Sequence, residues 1–339
     1  MRELKEEIKG IKEIKKRFTA GLTLALFMAA FLAVCGCGEK EKNVTEEQNP
    51  DTAVQAEIQT EEVLEEPQEA EEIPEKEPSQ EKEEIPVTEE ADWSGYFDGL
   101  NGAAVLYWPS ENRYLIYNAE LAQTRRSPCS TFKIISSLAA MENGILELEN
   151  SVRTWSGEVF WNEDWNRDIG FEDAFRTSCV WYFRQLADDI GPELMQQELD
   201  RLQYGNCDIS DWEGRLNTNN SNRALTGFWI ESSLKISPKE QTEVMERIFG
   251  RDSEYSAETQ QDLMSVMLVT EQNDSAAAVY GKTGMGKDRG ITVDAWFTGF
   301  ADTADDRVCF CVYLGETEGR EVTSAGAREI ALKLLADYE

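Results

Sequence analysis

Read only as apolar and polar positions, the chain divides into regions of different character. A Lys- and Arg-rich opening, Met1 to Arg17, runs into an apolar stretch from Phe18 to Val34. From Glu39 to about Glu90 apolar residues are sparse and prolines at 50, 67, 74, 78 and 86 interrupt any helical period. From Asp92 the pattern is that of a folded body. Ala103 to Tyr107 and Arg113 to Tyr117 predict two strands joined across Pro109-Ser110-Glu111-Asn112, an antiparallel hairpin. Ile134 to Met141 predicts a buried helix whose first turn carries Ser130 and which stops at Asn143-Gly144. Glu172 to Ile248 is mostly helical in period. Strand patterns return at 276–282, 292–300 and 308–314, and a final helix is expected from about Ala325 to Tyr338. Strands at both ends of a helical middle predict an α+β fold: an antiparallel sheet closed by distant parts of the chain, flanked by helices, with the helical segment inserted as a second lobe.

Composition then narrows the chemistry. The 339 residues contain no histidine, which excludes Ser-His-Asp and Cys-His catalysis and any histidine-ligated zinc. A nucleophile in this chain must use lysine, a carboxylate or a group made from them as its base. The formal net charge of −33 argues against nucleic acid as a partner. That charge is concentrated: Glu39 to Asp92 holds 21 acidic and 4 basic residues, 4 − 21 = −17. With few apolar side chains to offset ordering entropy, this stretch is expected to be a disordered, extended tether. Its bounds are taken as 38–91, with a signal segment over 1–37 and the folded domain over 92–339. Seven cysteines fall as Cys35 and Cys37 at the end of the apolar run and Cys129, Cys179, Cys207, Cys309 and Cys311 in the body. Five in the body is an odd number and no Cys-x-x-Cys occurs, so no metal site and no complete disulfide set is expected; they read as small buried hydrophobes.

Ser130-Thr131-Phe132-Lys133 places a hydroxyl and an amine on one helix face. An amine held in an apolar pocket can take the proton from a serine, and the N–H groups of a helix start can receive an oxyanion. Ser-x-x-Lys is short and common, so alone it identifies nothing. Lys282-Thr283-Gly284 adds a cation, a hydroxyl and room for a ligand beside an edge strand. Ser178-Cys179-Val180 opens the Trp181-Tyr182-Phe183 helix, and Tyr204-Gly205-Asn206 and Phe228-Trp229-Ile230 complete a set in fixed order.

That set resembles the class D, oxacillinase-type serine β-lactamases of the penicillin-recognising superfamily. Ser127-Pro128-Cys129-Ser130-Thr131-Phe132-Lys133, Leu234-Lys235-Ile236-Ser237-Pro238 and Ala295-Trp296-Phe297-Thr298-Gly299 extend the likeness, which covers about Trp93 to Leu335. The resemblance implies a β-lactamase/transpeptidase-like fold and hydrolysis of the β-lactam ring of penicillin-type antibiotics. In it Ser130 is the nucleophile, and Lys133, N-carboxylated by CO2 or bicarbonate, is the general base of both half-reactions; no other cofactor and no metal is implied. Trp229 holds the carbamate, Ser178 relays a proton to the leaving nitrogen and Lys282 supplies positive potential. Thr283, Gly284, Met285 and Arg328 meet the substrate: Thr283 and Arg328 hold its carboxylate, and the backbone N–H groups of Ser130 and Met285 form the oxyanion hole. Two departures stand out. Met285 takes a place where many relatives carry an aromatic residue, and Cys179 answers no chemical demand, so packing explains it.

A basic segment followed by a short apolar run is an export signal. Val34-Cys35-Gly36-Cys37 is similar to a bacterial lipobox, which implies a lipid on Cys37, with Cys35 or an uncleaved anchor as the alternatives. All of these put the body on the outer side of a bacterial membrane. The competing functions are a penicillin-binding sensor or transpeptidase that is acylated but turns over slowly, and an inert envelope-binding lipoprotein. Sensors of this kind usually add several membrane spans and a zinc protease, for which one apolar run and no histidine make no provision; the intact Ser130, Lys133, Ser178, Lys282 and Trp229 argue against an inert scaffold.

Overall fold

The computed structural model describes residues 85–216, 221–270, 277–303 and 306–338. The signal segment, Cys35, Cys37 and the tether up to residue 84 lie outside them. Among the described residues no helix is long and apolar enough to cross a membrane.

The sheet contains β1 (Val87–Glu90), β2 (Gly102–Trp108), β3 (Arg113–Tyr117), β4 (Leu268–Thr270), β5 (Ala278–Asp288), β6 (Ile291–Asp302) and β7 (Arg307–Gly315), in the order β1-β3-β2-β7-β6-β5-β4. The expected hairpin is β2–β3, with Val105 opposite Ile116; its turn is a 3-10 turn at Pro109–Glu111 closed by Asn112 at φ +45°. β7 then pairs antiparallel with β2, Ala104 opposite Val312, so the two ends of the body meet at mid-sheet. One pairing departs from the expected antiparallel sheet: β1 runs parallel to β3, Thr88 opposite Tyr114. The stretch assigned to the tether as far as residue 91 therefore ends in ordered structure. Its residues are all exposed, so no burial pattern marks them as a strand.

Two cores flank the sheet. On one face α7 (Ser324–Ala336) packs Ala327, Ile330 and Leu334 against Phe297, Phe310 and Leu314. On the other lies the larger, mostly helical core, built from α1 (Lys133–Glu142), α2 (Phe171–Arg176), α3 (Val180–Ile190), α4 (Pro192–Leu202), α5 (Pro238–Phe249) and α6 (Ala257–Met267). The sheet contributes Phe300 and Cys309 to it. Helix α1 is its axis: eight of ten residues, Lys133 to Ala140, are buried, the signature of a helix surrounded on all sides. It ends where expected, with Gly144 at φ +64°. Ser237-Pro238 in the Leu234–Pro238 motif is a structural signal: the Ser237 side chain accepts from the Glu240 N–H and Glu240 answers on the Ser237 N–H, a capping box that starts α5. All five body cysteines are free thiols and all but Cys207 are buried, as their small-hydrophobe reading anticipates.

Candidate active site

The nucleophile segment is held from several sides before α1 begins. The Cys129 N–H donates to the Trp229 carbonyl (2.9 Å), the Trp296 indole N–H to the Ser127 carbonyl (3.0 Å) and the Glu231 N–H to Ser127 Oγ (2.8 Å). Below it, Thr131 Oγ1 donates to the Pro128 carbonyl (2.8 Å) and accepts from Gln241 Nε2 (3.0 Å). These bonds fix Cys129 at φ +51°, a left-handed conformation that costs a non-glycine residue about 1 kcal/mol. Strain of this kind survives where the surroundings over-determine it. A 3-10 turn over Cys129–Phe132 then hands the chain to α1, so Ser130 sits on the tight turn and Lys133 on the first α-helical residue.

Lys133 is 1% exposed, and burial lowers its amine to about 8. Its Nζ donates to Ser130 Oγ at 2.9 Å and lies 5.2 Å from the centre of the Phe183 ring. Burial is the largest influence on it, and the nearby Cys179 and Cys129 thiols offset that desolvation only in part. A neutral amine there reverses the bond and accepts the Ser130 proton.

The second pair repeats the arrangement. Ser178 stands at φ +59° just before α3, where the chain leaves α2 and turns on Cys179. Its Oγ accepts from Lys282 Nζ (3.1 Å), which also donates to the Thr283 carbonyl (3.1 Å). Lys282 is 5% exposed; burial first and the Lys133 charge second hold its amine well below the usual lysine range. The Lys133 charge is felt at Lys282, so the two Ser–Lys pairs lie near one another.

Strand β5 closes the site beside Ser130. A Cβ on Gly284 would lie 2.9 Å from the Pro128 carbonyl oxygen and 3.0 Å from Thr131 Cγ2, so only glycine lets the strand approach the nucleophile turn this closely. Among the described residues β4 pairs β5 only at Val279 and Tyr280, which leaves the Lys282–Met285 stretch without a described strand on that side. Met285 is 40% exposed at the rim. Lys282, Thr283 and Arg328, the last from α7, line one cleft of about 220 Å3. Arg328 is an exposed residue of α7 that shares the lining of this cleft with Thr283.

Trp229 stacks on Phe132 with ring centroids 5.8 Å apart. Its indole N–H is buried and has no hydrogen-bond partner among the described residues, a deficit that typically costs about 1–3 kcal/mol. No bond joins it to Lys133. An anionic group added to Lys133 fits the chemistry of these residues: burial lowers the amine to about 8, which raises its neutral fraction, and an unused buried donor stands on the ring of Phe132, the residue before Lys133. The Tyr204 hydroxyl, beside Thr131 and Gln241, likewise closes no hydrogen bond. Gln241 carries no sequence signal for its place under the nucleophile; it is a polar residue on an amphipathic helix until the fold brings it there.

A family profile, the penicillin binding protein transpeptidase domain, matches residues 53–336. This chain belongs to the penicillin-binding transpeptidase-domain family. Among relatives, the regulatory protein BlaR1 of Bacillus licheniformis is 30% identical over 247 residues, 72% of this chain but 38% of that protein. The chain thus spans well under half of BlaR1. The probable β-lactamase YbxI of Bacillus subtilis (strain 168) is 31% identical over 243 residues, 71% of this chain and 82% of that one. The crystal structure of a class D β-lactamase from Bacillus subtilis superposes with a TM-score of 0.61 at 28% identity, covering 73% of this chain and 95% of that one. The expected fold class is therefore the observed one, and within the penicillin-binding family the chain has the fold of a serine acyl-transferase, with a probable β-lactamase and a regulatory protein both among its relatives.

Proposed function

We propose that this protein hydrolyses the β-lactam ring of penicillin-type antibiotics through an ester on Ser130. The observation that carries the proposal is the Ser130–Lys133 pair: a nucleophile 2.9 Å from a buried amine whose pKa is lowered to about 8. Ser130 Oγ adds to the lactam carbonyl as its proton passes to Lys133, with the Ser130 and Met285 N–H groups receiving the oxyanion. The carbon–nitrogen bond opens, and the nitrogen takes a proton through Ser178, which Lys282 keeps oriented. Thr283 and Arg328 hold the ring carboxylate. The proton that Lys133 took is the one passed through Ser178 to the nitrogen, so the base is free again; in the second half water adds to the ester, gives its proton to that base, and Ser130 leaves as its oxygen takes the proton back. Carboxylated by CO2, Lys133 would offer an anionic oxygen base for both halves; the Trp229 indole N–H is the donor that would hold it. A protein exported by its N-terminal segment and lipidated at Cys37 would meet the antibiotic outside the cytoplasmic membrane.

A second reading, a sensor or transpeptidase-like protein that is acylated and turns over slowly, is favoured by the BlaR1 similarity. Mass spectrometry of the full chain mixed with a penicillin, followed over time, separates the two. A transient adduct with hydrolysed product supports the hydrolase; a persistent adduct supports the slow protein, and no adduct removes both.

Two further outcomes follow from the same geometry. Below about pH 8 Lys133 carries the proton it must accept. In CO2-free buffer the acylation rate should therefore rise about tenfold per pH unit up to that point and level off above it. Quench-flow acylation rates independent of pH across that range would remove Lys133 as the base. Trp229→Phe keeps the ring on Phe132 but deletes the donor, so turnover should come to depend on added bicarbonate; titrating bicarbonate into both proteins checks it, and equal responses would reject the role given to Trp229.

A further inference from the structure

The cleft that takes the ring carboxylate has one cation more than that task uses. Arg176, the last residue of α2, lines it together with Lys282, Thr283 and Arg328, and among the described residues no carboxylate lines it. In a chain of formal net charge −33, a cleft lined by two arginines and a buried lysine, with no carboxylate among its described lining residues, is a departure from the acidic balance of the sequence. Arg176 is anchored by Glu172, one helical turn earlier at 2.5 Å, and its side chain is 54% exposed, so its guanidinium remains open to a ligand. The other wall is the apolar run Val266 to Val269, which carries no competing charge.

We infer that Arg176 makes this cleft a two-anion subsite, suited to cephalosporins that carry an acidic group on the C3 substituent in addition to the ring carboxylate. In a cephem the carboxylate is on C4, so a group on C3 enters the same cleft. One anion occupies Thr283, Arg328 and Lys282, and the second is left for Arg176, whose planar fork suits a carboxylate or another delocalised acid. The inference rests on acylation of Ser130 but not on whether the acyl-enzyme turns over.

The test is the second-order rate of Ser130 acylation, read by mass spectrometry, for two cephalosporins of similar bulk, one with an acidic and one with a neutral C3 group. The ratio of acidic to neutral should fall about fivefold in Arg176→Gln, the scale of an exposed ion pair. It should recover in Arg176→Lys, and in the unaltered protein it should shrink as salt is added. Acylation by both compounds with a ratio unmoved by Arg176→Gln overturns the subsite alone. Acylation by neither overturns the role of Ser130 and the subsite with it.

Discussion

Lys133→Ala lowers the rate of Ser130 acylation by about a thousandfold, within the range of a lost general base, and leaves any adduct that forms undischarged. Both effects follow from one group serving both half-reactions. The hydroxyl it activates loses its hydrogen-bond partner at 2.9 Å, and no other base stands at Ser130 among the described residues to replace it. Rapid-quench mass spectrometry reads the two rates separately. Stability distinguishes this role from a structural one. A buried lysine with a lowered pKa is a burden on folding, because the unfolded chain binds its proton more tightly. Lys133→Met, of similar volume, should therefore melt no lower than the unaltered protein at neutral pH while losing activity as Lys133→Ala does. Normal turnover in either variant would overturn the assignment.

Ser130→Ala removes the covalent adduct altogether, and turnover falls by at least about ten-thousandfold, since the remaining groups act as one unit around a missing atom. Binding of intact β-lactam should persist, because Thr283, Arg328 and Lys282 are untouched. Mass spectrometry for the adduct and equilibrium dialysis for binding check the two parts. An adduct of the same mass in this variant would move the nucleophile elsewhere, for which Ser178 is the other serine bonded to a buried lysine.

The pairings that make this site were legible where residue type and order carry them. Ser130 with Lys133 follows from helical spacing, and the β2–β3 hairpin and the three closing strands follow from apolar runs bounded by turn residues. The Ser178–Lys282 bond joins residues 104 apart in sequence and became readable only through the family's motif order. What stayed hidden lacks a local signal. β5 continues through Gly284 and Gly286 to Asp288, where glycines and charges mask the strand period. The left-handed turns at Cys129 and Ser178 fall on residues that do not advertise them and are imposed by bonds from Trp229, Trp296 and the end of α2. Arg176 looks like any cation closing a helix. Only the meeting of α2, β5 and α7 gives it a neighbour of the same sign.

The parallel strand β1 has a consequence beyond the sheet it completes. An uncovered edge strand is a template for pairing with another molecule, and proteins blunt such edges with charge. β3, with Tyr114, Leu115 and Ile116, would be such an edge, and the strand that covers it carries Glu89 and Glu90 outward. Trimming the protein at Asp92, where the composition turns globular, would remove β1 and leave the backbone edge of β3 uncovered. The last residues of the acidic stretch thus belong to the folded body, closing one sheet edge with charged residues.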